Sequence, residues 1–353
     1  MPVGIGMLLQ LKVDSGLAAR GIVAASCYIR VPVSKSVDPF GDAGAACLSG
    51  DGILLQHSCR ICGSEETVVW KKNSVGRRLR PEDLRITDSG YGTTLGLLKC
   101  HRCGFIFAES NELDELHRLY EQLADPEYET TQDTRRLQMQ WLLKLALETG
   151  PRNATLLDVG AGTGLLVREA RDLGIDAAGI EPSRALVEFA RTRNRVDLHQ
   201  GVLPHPELTG RKFDLVLLVD VIEHVENPLQ LLMDCSELLV EGGRLIVVTP
   251  DVRSIAARLF GQRWWHFRLA HVGYFSRKSL ATAAAAAGLE ATRWKRAKWF
   301  FRVEYLAERS ASYLPIAWFN RLAKRVSPLR WCYNRVVPLN LHDSFVVVFK
   351  SLQ

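Results

Sequence analysis

Two groups of residues in the 353-residue chain have the types and spacing that chemistry requires. The first is the run Leu156-Leu157-Asp158-Val159-Gly160-Ala161-Gly162-Thr163-Gly164-Leu165. An apolar stretch closes on a carboxylate, three glycines alternate, and a second apolar-periodic stretch begins. That order predicts a buried parallel strand, a tight turn and a helix N-terminus. Glycines let the backbone turn sharply and let a ligand lie against it with no Cβ between. The unpaired N–H groups of the helix add a weakly positive surface. The next apolar run, Ala177-Ala178-Gly179-Ile180, stops at Glu181, where a carboxylate can accept hydrogen bonds from both ribose hydroxyls of a nucleoside. Nicotinamide sites usually space their glycines as G-x-G-x-x-G; the G-x-G-x-G spacing here departs from that pattern.

The second group is Cys59-Arg60-Ile61-Cys62-Gly63 and Cys100-His101-Arg102-Cys103-Gly104, two near-copies of one knuckle. Each brings two thiolates from a tight turn, and its glycine frees the backbone to aim N–H groups at sulfur. Two such turns make a tetrahedral sulfur site that suits zinc, whereas redox C-x-x-C motifs normally occur singly. His57 and His101 could substitute as ligands, but with four sulfurs at hand they are expected to face solvent or to lie just behind the sulfur ligands. Four thiolates leave no open coordination position, so this zinc would be structural. The other cysteines, Cys27, Cys47, Cys235 and Cys332, are scattered. A secreted disulfide framework would be denser, so a reducing cytoplasm fits.

The glycine run and Glu181 resemble the class I S-adenosylmethionine (SAM)-dependent methyltransferases, in a match of about 140 residues. The resemblance implies an α/β fold: a Rossmann-like seven-stranded sheet whose last strand is antiparallel, here preceded by a small zinc ribbon. It also implies that SAM contacts Asp158, Gly160, Ala161, Gly162, Gly164, Glu181 and Pro182, then Gly201, Val202 and Leu203, then Asp220 and Val221. Many relatives place an acidic residue near Gly201 to meet the adenine amine. This chain has none, so backbone groups of Val202 and Leu203 would serve. The Glu223-His224-Val225 step is common in small-molecule methyltransferases. His271-Val272-Gly273-Tyr274-Phe275-Ser276 resembles a subfamily associated with sugar, cell-surface polysaccharide and natural-product pathways. A zinc ribbon ahead of the core is also seen in sugar C-methyltransferases. No Asn/Asp-Pro-Pro-Tyr motif, the mark of base-amine methylation, is present.

The elements that must carry these residues follow the same alternation. Strands are predicted at 153–159, 176–181, 196–200, 213–220, 244–249, 289–296 and 344–350. Helices are predicted at 165–173, 184–193, 228–240 and 276–287. Alternating strands and helices argue for a parallel sheet covered on both faces. Right-handed crossovers then gather the loops after Val159, Glu181, Gln200 and Val219 on one edge. Ahead of this lie an extension over 1–52 that we expect to be poorly ordered, ribbon strands within 53–110, and a helical bridge over 111–150. Relatives often close such a bridge over the cofactor; plain packing is the alternative. The methyltransferase domain spans 151–353, with an insertion over 299–338.

In-line methyl transfer needs a nucleophile held close to the sulfonium methyl and, for a hydroxyl or carbon acid, a proton acceptor. His224 and His271 are the two candidates. His224 could instead order its loop, and His271 could cap the next helix. Glu223 with His224 could alternatively hold a divalent ion, as in some resembled quinone methyltransferases. Trp264 and Trp265, beside Arg263 and His266, could pack or could line the acceptor site. The insertion, with apolar spacing at Ile316, Phe319, Leu322 and Val326, reads as a lid over the substrate, a membrane-surface helix seeking lipid-linked sugars or a nucleic-acid patch, with a solvated basic face as the plain alternative. The net charge of +6 permits an anionic substrate without indicating nucleic acid, and no apolar run is long enough to span a membrane.

The resemblance implies a cytoplasmic enzyme that O- or C-methylates a small metabolite, either sugar-containing or a cell-surface polysaccharide or natural-product precursor, with a nucleotide- or lipid-linked sugar as one form it could take. A zinc-containing RNA methyltransferase and a catalytically silent SAM-binding partner protein are the competing readings.

Overall fold

The computed structural model describes residues 58–77, 79–85, 90–109, 113–123, 131–148, 154–310 and 331–352. They all belong to one compact unit, Leu54–Gln353. The expectations for 1–52, His57, Ile316, Phe319, Leu322 and Val326 lie outside the described residues.

The chain opens with three short strands, β1 (Thr67–Lys71), β2 (Leu97–Cys100) and β3 (Ile106–Ala108), and two helices, α1 (Leu113–Glu121) and α2 (Gln132–Leu147). Then come β4 (Thr155–Val159), α3 (Leu165–Asp172), β5 (Asp176–Glu181), α4 (Arg184–Phe189), β6 (His199–Gln200) and β7 (Phe213–Val219). Next are α5 (Pro228–Glu237), β8 (Leu239–Pro250), α6 (Ile255–Phe260), β9 (Gly273–Tyr274), α7 (Arg277–Ala286) and β10 (Leu289–Arg296). The last elements are β11 (Trp299–Arg302), α8 (Val303–Ser310), β12 (Val336–Leu339) and β13 (Ser344–Ser351).

Seven strands form the main sheet in the order β10-β13-β8-β7-β4-β5-β6. β4 to β8 run parallel, and β13 is antiparallel to both its neighbours. Strand parity explains the continuous apolar runs. Leu157, Val216, Leu218, Leu245 and Val247 enter one buried cluster. Leu156, Leu215, Leu217, Ile246 and Val248 alternate with them into another. Side chains of successive strand residues point to opposite faces, so a sheet covered on both sides needs an apolar residue at every position.

Several expected boundaries move; the helix expected over 184–193 is α-helical only to Phe189 and continues as a π turn over Ala190–Asn194. The strand expected over 196–200 is reduced to His199–Gln200. The helix expected to reach Val240 ends at Glu237, because the Phe213 N–H donates to the Leu238 carbonyl (2.8 Å) and Leu239 pairs with Phe213. β8 thus starts early and carries the exposed Glu241 and Gly242, then the buried Gly243, across a register shift before Leu215 meets Arg244. The insertion is also more ordered at its ends than a plain excursion: β11 and β12 pair antiparallel from Trp299↔Leu339 to Arg302↔Val336.

The ribbon strands form a second sheet whose order is β1-β2-β3-β9. Its fourth strand comes from the C-terminal third: Ile106 pairs with Tyr274, and the Ala108 N–H donates to the Val272 carbonyl (2.8 Å). Phe105 packs on Phe275 with centroids 4.9 Å apart, so ribbon and main sheet share one apolar cluster. No described helix is long and apolar enough to cross a membrane.

Gly179, in the middle of β5, tests this packing. A Cβ there would sit 2.7 Å from Leu198 Cδ2 and 2.9 Å from both Ala161 Cβ and Val167 Cγ2. Gly179→Ala is expected to lower unfolding stability by about 1–3 kcal/mol through overpacking. The readout is a lower urea midpoint at unchanged slope.

Candidate functional site

The carboxyl ends of β4, β5 and β7 open into a cavity of about 1210 Å³. That is more than one drug-sized ligand fills, leaving room for two molecules. The turn after β4 forms its floor. Gly160, Gly162 and Gly164 all have left-handed backbone, with φ of +73, +55 and +70°. A Cβ on Gly160 would lie 2.5 Å from Val221 Cγ2, so only glycine lets the turn pass under the β7 loop.

Glu181 fastens this turn. Its Oε2 accepts the Gly162 N–H and its Oε1 the Ser183 N–H, each at 2.9 Å. Each oxygen keeps a further lone pair, and the side chain lines the cavity. Burial raises Glu181 to about 7 against those two amide bonds. Burial, with the neighbouring Glu181 charge, raises Asp158 to about 8. A cationic ligand would relieve both. Pro182 follows on the same wall, and Ser183 caps α4 by accepting the Leu186 N–H.

The remaining expected contacts surround the same space. The Gly201 N–H donates to the Glu181 carbonyl (3.1 Å), which places Val202 and Leu203 on the cavity rim. From the bridge, Gln132 at the start of α2 accepts from the Thr163 hydroxyl (3.3 Å), while Arg135, Gln138 and Met139 line the wall. The bridge therefore faces the ligand space as well as packing. Asp220 holds a left-handed backbone (φ +54°), and its Oδ1 has no hydrogen-bond partner among the described residues. Burial raises it to about 7, opposed by the Arg135 and Arg268 charges and aided by Asp343.

A row of imidazoles, His224, His271 and His266, also lines the cavity. His224 Nδ1 is 2.7 Å from the Ala270 carbonyl. A carbonyl only accepts, so Nδ1 carries the proton and Nε2 the free lone pair. Burial pushes His224 down to about 4, despite the Ala270 bond, so the ring is neutral at neutral pH. His271 meets it edge-on at 4.7 Å and is held well below the usual imidazole range by burial and by His224. Helix capping falls to Ser276, which accepts the Ser279 N–H, and not to His271. The two tryptophans divide: Trp264 is fully buried, whereas Trp265 lines the cavity. Trp265 Nε1 (2.8 Å) and His266 Nε2 (3.0 Å) both reach Asp343 Oδ2. Burial opposes the ionisation of Asp343, but these two bonds and the His266 charge outweigh it and hold the carboxyl low. Asp343 is a site residue that sequence reasoning missed. It sits one residue before β13, where only the sheet order brings it to the cavity.

Glu223 lies beneath the histidines. Its Oε2 accepts the Thr249 hydroxyl (3.0 Å), and its Oε1 lacks a partner among the described residues, as does His271 Nδ1. One donor atom each from Glu223, His224 and His271 lies within 4.8 Å of the others, an arrangement able to hold a metal ion.

The four knuckle cysteines also converge. Cys59 and Cys103 sulfurs are 3.5 Å apart and those of Cys62 and Cys100 3.6 Å, with all four within 4.8 Å of one another. Tetrahedral zinc–sulfur bonds of about 2.3 Å would place sulfurs roughly 3.8 Å apart. The Cys103 hydrogen bond draws Cys59 down to about 5, while the same bond and burial push Cys103 up. Without a cation the thiols share protons instead of ionising together. Arg60, between the first two cysteines, links this cluster to the imidazole wall. It donates to the carbonyls of Ala108 (2.9 Å) and Glu226 (3.3 Å) and stacks over Phe107.

Residues 131–293 match the model of a family described as a methyltransferase domain. A ubiquinone biosynthesis O-methyltransferase of Cereibacter sphaeroides is 33% identical over 116 residues, 31% of this chain and 47% of the relative. Another of that name, from Dechloromonas aromatica, is 31% identical over 150 residues, 40% of this chain and 63% of the relative. The chain thus spans about half the length of the first of these relatives. Among solved structures, a SAM-dependent methyltransferase of Thermotoga maritima, a possible histamine N-methyltransferase, aligns at 23% identity. It covers 67% of this chain and 100% of its own, with a TM-score of 0.43.

Asp158, Glu181 and Asp220 have a common consequence for stability. Each is raised on folding, so between about pH 4 and 8 the folded chain binds protons that the unfolded chain has released. Ligand-free stability therefore falls as pH rises through this window. The thermal midpoint is expected to be higher at pH 6 than at pH 8, and the opposite slope would remove the case for buried, strained carboxylates.

Proposed function

We propose, from the premise that residues 131–293 are a methyltransferase domain, that the chain is a SAM-dependent enzyme that O-methylates a small, ring-bearing acceptor. The observation that carries this reading is the position of His224. Its Nδ1–H is committed to the Ala270 carbonyl, leaving Nε2 as the lone pair in a cavity shared with the glycine turn and Glu181. SAM would supply an electrophilic methyl group. Its ribose hydroxyls would donate to Glu181, its positive charges would settle beside Asp158 and Asp220, and its base would lie along Val202 and Leu203. The cavity lining is rich in rings, among them Tyr91, Tyr120, Trp265, Trp299, Phe300 and Tyr305. Such a lining suits a flat aromatic or the apolar face of a sugar. The relatives' names favour a hydroxyl acceptor; the sugar-containing metabolite inferred from the sequence is the acceptor we favour, with the described ends of the insertion acting as its lid.

His224 then takes the hydroxyl proton as the oxygen attacks the methyl carbon. A base with so low a pKa works only late in the step, when the attacking oxygen has become strongly acidic. His271 packs edge-on against the ring of His224, and burial, with the Arg268 and His266 charges, keeps that ring neutral. A second reading is favoured by the two partnerless atoms, Glu223 Oε1 and His271 Nδ1, which with His224 could hold a divalent cation at the acceptor oxygen. Methyl transfer that survives chelation supports the base; loss restored by added magnesium or manganese supports the cation.

The four cysteines hold structural zinc in this proposal, and a reducing cytoplasm keeps them available for it. Cys62→Ser is expected to lose the bound zinc and lower the thermal midpoint; a fully stable, metal-free variant would refute this. Glu181→Gln is expected to weaken SAM binding about ten- to hundredfold by calorimetry, the worth of hydrogen bonds to a charged group, with zinc content unchanged. Labelled-methyl transfer across panels of nucleotide sugars and catechols tests the acceptor class.

A further inference from the structure

We propose a second, regulatory metal site at the outer edge of the main sheet, formed by His199, His205 and Glu207. None of these residues takes part in the chemistry above. His199 opens the two-residue outermost strand, while His205 and Glu207 flank Pro206 at the start of the short turn Pro206–Leu208. One donor atom from each lies within 4.8 Å of the others. His199 Nδ1 already touches the Glu207 carboxylate, and the two imidazole rings are 5.6 Å apart, inclined at 45°. Glu207 is open to solvent, so an ion has a way in and room for water ligands. Two imidazoles and one carboxylate are the donors that zinc and its first-row neighbours prefer, and a poor set for magnesium or calcium.

The site's backbone joins it to the cofactor wall. His199 and Gln200 pair with Ile180 and Glu181, and the next residue, Gly201, donates its N–H to the Glu181 carbonyl (3.1 Å). The His205 ring lies against Gly201, its Cδ2 3.1 Å from where a Cβ would stand. Val202 and Leu203, on the cavity rim, fall between the metal ligands. An ion bridging His199 to His205 and Glu207 would pin this loop at both ends. Metal occupancy and nucleoside binding would then be linked, and the linkage must be reciprocal. The metal site itself does not depend on the methyltransferase reading; only the linkage does.

The test uses full-length protein whose cysteine site is already filled with zinc, titrated with cobalt(II) by calorimetry and visible absorption. The wild type is expected to take up one more equivalent than His199→Ala and than Glu207→Gln, with d–d bands and no new thiolate charge-transfer. Glu207 is exposed, so its variant should fold; matching thermal midpoints check this. Adding S-adenosylhomocysteine should shift the cobalt affinity by about fivefold or more, and cobalt should shift the nucleoside affinity by the same factor. Equal cobalt uptake by the wild type and both variants would overturn the site. A wild-type-specific equivalent with no change in nucleoside affinity would overturn the linkage. Failure of all proteins to bind the nucleoside would count against the cofactor reading instead, leaving the cobalt comparison intact.

Discussion

The buried carboxylate of Glu181 is the contact on which the rest of this architecture turns. Charge is removed from water there and held by two backbone amides, one from the glycine turn and one from the start of α4. Neither amide has a helical partner of its own, so the carboxylate satisfies groups that burial would otherwise leave bare. The turn after β4 and the turn after β5 are thereby locked to one another. The glycine turn, Pro182 and Ser183 take their positions from that pair of strand ends. Burial also sets Glu181 and Asp158 near neutrality in the ligand-free state, so the site is poised to favour a ligand that brings positive charge.

The second organising fact is that the cysteine-bearing sheet is built jointly with the C-terminal third. β9 completes it, Phe275 packs into it, and Val272, between His271 and β9, donates its N–H to the Glu223 carbonyl (2.8 Å) while accepting from Ala108. Arg60 adds a direct tie from the first knuckle to Glu226, two residues past His224. The imidazole wall is thus held from one side by the sheet of the nucleoside-type fold and from the other by the cysteine cluster. A ribbon that merely decorated the surface would need none of these contacts.

Much of this was legible in the residues. The alternation of Leu156 with Leu157, and of Leu215 with Val216, reports a sheet buried on both faces because strand geometry has a period of two. Gly160 is glycine because Val221 stands where a side chain would go, and the four cysteines declare themselves by spacing alone. Boundaries were less legible. The run ending at Val240 reads as helix in any local window, yet Leu239 is claimed by Phe213 in the neighbouring strand. Local propensity differs by tenths of a kcal/mol per residue and is overridden by sheet pairing.

Sequence by itself determined the strand–turn–helix with its carboxylates, the order of the parallel strands' elements and the metal-type knuckles, since each rests on contacts between near neighbours in the chain. Only the tertiary structure decided that Gly273–Tyr274 closes the ribbon sheet, that Asp343 anchors Trp265 and His266, and that His224 spends its Nδ1 proton on Ala270. Those are pairings across long stretches of chain. Their free energy comes from burial and hydrogen bonds that exist only once distant elements are packed, and no periodicity in the sequence encodes which partner each will find.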